Sequence, residues 1–166
     1  GSFPPCPTEA EVRAMSMDKP AREWLPADID KILDLLPIID APGFQSHVWP
    51  DLPDIIENGT RIMQMPYPTY HEVVDQIWKL LYETSAYIDP YAPLPEDPTQ
   101  EGVPFSVMGA HFPPQYFEAA TLNQVRRYLV LCTRGERFCD GHIASQFECG
   151  SLQAALHRLR QLREGK

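Results

Sequence analysis

Proline divides this chain into two unequal parts. All 18 prolines lie at or before Pro114, and the 52 residues that follow contain none. Proline has no amide hydrogen and its ring clashes with the preceding turn, so helix interiors exclude it. The back third is therefore free to be helical, while the front is cut into short elements. Five prolines fall within residues 87–105, "YIDPYAPLPEDPTQEGVPF". In that polar, acidic setting they favour a surface connector over 88–105 with polyproline character, a long loop and not a domain linker.

A chain of 166 residues suits one domain whose core buries roughly 70% of the surface exposed by the unfolded chain. The fold class expected is mainly α: a single compact helical domain over 1–166 with at most a short extended segment. The leading Gly-Ser reads as the remnant of a cleaved tag, and 1–7 as a disordered tail. No apolar run of about 18 residues could cross a bilayer. The stretch "FPPCPTEAEVRAM" lacks the basic and apolar regions of a secretory signal, so a cytoplasmic location without membrane contact is expected.

Capping boxes locate helix starts, because a Ser or Thr followed three residues later by Glu or Gln satisfies two otherwise orphaned amides. Thr8/Glu11, Thr69/Glu72 and Thr121/Gln124 match. A further helix in "ADIDKILDLLP" shows the stripe Ile29, Ile32, Leu33, Leu36, with Asp28 and Asp30 near its positive end and Pro37 ending it. The helix over 70–84 is apolar around more than half its circumference through Val73, Val74, Ile77, Trp78, Leu80 and Leu81, which predicts a central position. Only "GTRIMQMPY" (residues 59–67) hints at strand, and it could pair with nothing but another connector. The region 118–163 reads as three helices, 121–133, 138–149 and 151–163, punctuated by Gly135 and Gly150.

Charge constrains partners. The net charge is −9, with 17 acids against 6 Lys/Arg over residues 1–100 and 6 against 8 over 101–166. An acidic front repels phosphate backbones and anionic lipids, so nucleic acid and membrane are disfavoured and a basic partner protein is expected. Cys6, Cys132, Cys139 and Cys149 make a poor disulfide framework for a chain able to build a core, and read as reduced thiols. Walker, dinucleotide-fingerprint, HExxH, GxSxG and EF-hand patterns are missing, which removes the commonest nucleotide, zinc-protease, serine-hydrolase and calcium assignments.

The run "VRRYLVLCTRGERFCDGHIASQFECGSLQAALHRLRQL" resembles the signature region of an uncharacterised prokaryotic family, domain of unknown function 6508. The matching residues are Arg134, Arg137, Phe138, Cys139, Asp140, Gly141 and His142, with Gly150 and the Leu-rich last helix downstream and "PYPTY" (residues 66–70) upstream. The resemblance covers roughly residues 50–90 and 118–163. It implies a small, mostly helical intracellular protein and supplies no reaction or ligand; no cofactor is expected.

"RGERFCDGH" (residues 134–142) admits three readings. As a helix junction, Asp140 caps a helix beginning near Gly141, Phe138 packs with Ile143 and Phe147, and Arg134 or Arg137 pairs with Glu136, Asp140 or helix carbonyls. On this reading Arg137→Ala costs roughly 2–4 kcal/mol and Cys139→Ser less. As a metal site, Cys132, Cys139, His142 and Cys149 form a nominal Cys3His set. A helix over 139–149 would place its terminal thiols ~15 Å apart, too far to share a zinc, so no metal is expected. As a functional site, Cys139 and His142 are candidate nucleophile and base one turn apart, Asp140 the orienting acid, and Arg134, Arg137 and His142 candidate anion ligands. His47, His71, His111 and His157 are scattered and read as surface or boundary histidines.

Three functions remain. The first is a non-catalytic binding module whose acidic front engages a basic partner or mimics nucleic acid. The second is a small enzyme or anion-binding protein using residues 134–142. The third is a helix-turn-helix DNA reader using Arg158, Arg160 and Arg163, which the overall acidity opposes.

Overall fold

The structure, a computed structural model, describes residues 24–64, 67–85 and 112–166. The tail 1–7, the Thr8/Glu11 box, Cys6, the connector 88–105 and His111 lie outside the described residues. Helix α1 (Pro26–Leu33) opens with a proline in its first turn, and the Asp28 carboxylate accepts the Leu25 N–H at 3.3 Å. Ile29 and Ile32 are buried and Leu33 packs against the core, as the stripe requires. Pro37 does not end this helix: the chain turns earlier, and Pro37 sits in the first turn of a short α2 (Leu36–Ile39). A first-turn amide has no partner within its helix, so proline loses nothing there.

Two small antiparallel sheets follow. Strand β1 (His47–Val48) pairs with β4 (Thr69–Tyr70), His47 opposite Tyr70, and between them β2 (Ile55–Glu57) and β3 (Thr60–Ile62) form a hairpin. The hairpin turns on Asn58 and Gly59, with φ of +50° and +76°, the pair of left-handed residues that a two-residue turn needs to match strand twist. The extended signal in residues 59–67 is thus one arm of a hairpin whose other arm lies just before it.

Helix α3 (Glu72–Ser85) does not use the Thr69/Glu72 box, because Thr69 is taken into β4. His71 caps it instead, its Nδ1 accepting the Val73 N–H at 3.0 Å. Val73, Val74, Ile77 and Leu81 are buried, while Trp78 and Leu80 lie at the edge of the core. After a 3-10 turn (Pro114–Ala119) come α4 (Leu122–Phe138), α5 (His142–Glu148) and α6 (Ser151–Arg163). The Thr121/Gln124 box closes α4 as expected, with hydrogen bonds of 3.2 and 2.9 Å. The back third is three helices, with one correction: α4 runs through Gly135, and the first break lies at 139–141.

The core gathers Val73 and Ile77 from α3, Val125 and Leu129 from α4, Leu156 and Leu159 from α6, and Ile32 and Leu36 from the front. Phe112, Tyr116, Phe117 and Tyr128 meet edge to face, with ring centroids 4.7–5.5 Å apart. The buried Tyr128 hydroxyl donates to Gln146 Oε1 at 2.7 Å, and burial raises the phenol far above its ordinary pKa. Among the described residues no helix is long and apolar enough to cross a membrane. Removing the α4 cap with Thr121→Ala is expected to cost about 1 kcal/mol, a fall of ~2–4 °C in the thermal midpoint for a chain of this size. A melt that does not move would show that the cap contributes nothing.

Candidate functional site

Glu136 is the centre of the "RGERFCDGH" region. It lies on α4 and is only 7% exposed. Its Oε1 accepts the Tyr70 hydroxyl at 2.9 Å and the Gly141 N–H at 3.2 Å, and its Oε2 accepts the Ile143 N–H at 2.8 Å. Tyr70 in turn accepts the Ala144 N–H at 3.1 Å. The start of α5 is therefore capped from the preceding helix and from β4, with a negative charge placed at the positive end of the helix. Burial, and then the neighbouring Glu136, push the Tyr70 phenol up, so it stays protonated and donating.

Both glycines of the motif make room for a ring. A β-carbon on Gly135 would lie 2.5 Å from the His142 ring, and one on Gly141 would lie 2.6 Å from the Trp49 indole. Gly141 also has φ +87° as the residue before α5, a conformation that side chains with a β-carbon resist. Gly135 thus serves close helix packing and does not break α4. His142, packed on Gly135, is half-buried; burial lowers its pKa from the ordinary 6.5, and the Glu136 charge opposes that fall.

The other candidates do not converge on a reacting centre. Cys139 is exposed, and its thiol approaches the Asp140 carbonyl at 4.0 Å; among the described residues no hydrogen bond joins it to His142. Asp140 is exposed and does not cap α5; Gly141 and Glu136 hold that position, since Gly141 reverses the chain before Asp140 could align with the helix. Arg137 is exposed, with its guanidinium 4.9 Å from the centre of the Tyr82 ring, so it does not knit α4 to α5. Arg134 is half-buried and engaged. The side chain of Phe138 lies outside the described residues. Cys132 is buried, which pushes its thiol up to about 12, and Cys149 is half-buried against the Ser151 hydroxyl at 3.1 Å. Among the described residues no three His, Cys, Asp or Glu side chains gather as a metal would require.

Sequence reasoning missed a second polar cluster on the same seam. His47 Nδ1 meets Ser46 Oγ at 2.6 Å and His47 Nε2 meets Glu148 Oε1 at 2.8 Å; Trp49 Nε1 donates to the same oxygen at 3.0 Å. The indole and then the imidazole hold the Glu148 carboxyl below its usual range. The set contains a serine, a histidine and an acid, but the hydroxyl is buried and both ring nitrogens are engaged, so the cluster ties β1 to the end of α5. His47 and Glu148 are 101 residues apart, and no local spacing could have linked them.

A family of unknown function, DUF6508, matches residues 24–165. The chain belongs to this family. No curated protein and no solved structure matches it. The DUF6508 match also covers residues 24–49 and the segment between 90 and 117, which lie outside the motif resemblance. Tyr70 and His47, which pack on the signature helices, therefore belong to one DUF6508 unit with Glu136 and Gly141.

Two expectations follow. Glu136→Ala leaves the Gly141 and Ile143 amides and the Tyr70 hydroxyl without their acceptor and should cost about 2–4 kcal/mol. Arg137→Ala removes an exposed cation–π contact worth about 0.5–1 kcal/mol. Parallel thermal melts check the order, and a larger loss for Arg137→Ala would refute the assignment of Glu136 as the junction.

The second expectation concerns pH. The unfolded chain protonates His142 near the ordinary 6.5, whereas the folded protein resists until lower pH. Stability from this group is therefore whole above about pH 6.5 and is lost as pH falls through it. His142→Gln should flatten the stability curve between about pH 5.5 and 7, which melts across that range would reveal; an unchanged slope would mean that His142 is not the titrating group.

Proposed function

We propose that this protein is a non-catalytic interaction module, acting in the cytoplasm, whose acidic front binds a partner protein through that partner's basic surface. The observation carrying this reading is how the two kinds of side chain are distributed. Within residues 134–142 the buried acid Glu136 is engaged in joining helices and the exposed Cys139, Asp140 and Arg137 do not converge on a reacting centre, whereas the front leaves most of its charge in solvent. Residues 24–85 hold ten acids against three Lys/Arg, and of those acids only Asp28 is buried. The back offers little free positive charge to offset them. Arg158 donates to the Ala120 carbonyl at 2.9 Å, Arg160 to His157 at 2.9 Å, and Arg163 to both oxygens of Asp30 at 2.9 and 3.2 Å. Those same engagements speak against a DNA-reading role for the last helix, which would need these guanidiniums turned toward phosphate or base edges.

Immobilised protein should capture a high-pI partner from a prokaryotic lysate at low ionic strength and release it between roughly 0.15 and 0.5 M salt. A variant carrying Asp51→Asn, Asp54→Asn and Glu57→Gln should capture less, while Cys139→Ser and His142→Gln should capture as the parent does. Capture that ignores the charge changes but is lost with Cys139→Ser would refute the reading and return residues 134–142 to chemistry.

A further inference from the structure

The β2–β3 hairpin is the least covered part of the described protein. All six strand residues are exposed, and Ile56 and Met63 are 73% and 77% exposed. The register pairs Ile55 with Ile62, Ile56 with Arg61 and Glu57 with Thr60. Side chains alternate between faces along a strand, so one face carries Asp54, Ile56, Arg61 and Met63, and the other Ile55, Glu57, Thr60 and Ile62. None of the four apolar residues joins the core. A hairpin that serves only its own fold buries one face, since two strands alone are marginal in water. Among the described residues neither face is buried and no third strand lies beside β2 or β3. Each outer edge presents backbone donors and acceptors ready to pair with another chain.

Charge identifies what would pair. Arg61, the cation of the hairpin, donates to Asp54 at 2.7 Å, which among the described residues leaves Asp51 and Glu57 as anions without a cationic partner around the isoleucines. A second copy of this chain would bring like charges together. An extended segment alternating apolar and basic residues would place one set against Ile56 and Met63 and the other near Glu57 and Asp51. We propose that the β2–β3 hairpin is the docking element of this protein and receives such a segment of a partner protein as an added strand. Main-chain hydrogen bonds then supply much of the affinity and alternate side chains the selectivity. This inference rests on the interaction-module reading and narrows it to one element.

The test uses the full chain and a fluorescent peptide of four Lys-Val repeats, with an all-lysine peptide of equal length as the control. The Lys-Val peptide should bind the parent, and the double variant Ile56→Thr, Met63→Thr should bind it about tenfold more weakly while melting like the parent, since neither residue is in the core. Methylating the peptide's lysine amides and its valine amides in separate copies should weaken binding unequally, because only alternate amides of an added strand face the edge. Equal binding by parent and variant, or indifference to both methylations, would overturn the hairpin assignment. In that case salt-sensitive binding of the all-lysine peptide would leave the interaction-module reading standing. Failure of both peptides to bind at low salt would refute the two together. A dimer in sedimentation that the double variant abolishes would overturn the proposal in favour of a second copy as occupant.

Discussion

A carboxylate removed from water is costly unless its oxygens are saturated with donors. Glu136 meets that condition with three: a phenol from β4 and two amides from the start of α5. One side chain thereby fixes the relation of three elements. α5 must return against the end of α4, which brings His142 onto Gly135, and the segment before β2 must pass over Gly141, which brings Trp49 to the joint. The small residues, the aromatic contact and the left-handed turn are consequences of that return path.

The same arrangement accounts for the asymmetry of charge. Arg163 and His157 of the last helix meet Asp30 and Asp40 of the front, and Arg158 the Ala120 carbonyl before α4. Exposed pairs of this kind contribute little to stability individually. Arg163 offsets Asp30 at the surface, and the negative field of the front rests on its other exposed acids.

Much of the fold was legible in the sequence because it follows local rules. The Pro-free back third and the α4 capping box appear in the structure as read, and the stripes of α1 and α3 turn Ile29, Ile32, Val73, Val74, Ile77 and Leu81 into the core, although Leu36, read as the end of the α1 stripe, lies in α2. Where a local rule had two meanings, the reading failed. Gly135 suggested a helix break, but glycine also permits close approach, and the His142 ring decides between the two. Thr69 and Glu72 have the spacing of a cap, but pairing with β1 claimed Thr69 first. At the candidate site, Asp140 was the conventional cap by position, yet an acid four residues earlier could reach the same amides from the preceding helix. The His47–Glu148 contact and the Tyr70–Glu136 bond had no sequence signal, since each joins segments 66 or more residues apart.

The docking of α6 on α1 has a consequence for the order of events during synthesis. Asp30 and Arg163 are separated by 133 residues, and the buried face of α1, Ile29 and Ile32, shares its cluster with Leu156 and Leu159. A chain emerging from the ribosome amino end first therefore carries Ile29 and Ile32 without their α6 partners until that helix has been made. Over that interval an isoleucine- and leucine-rich stretch lies open to its neighbours. Asp28, Asp30 and Asp34 are interspersed through it, and charges so placed disfavour association between like segments. The charge carried at the front of this protein has work to do before there is a fold for it to decorate.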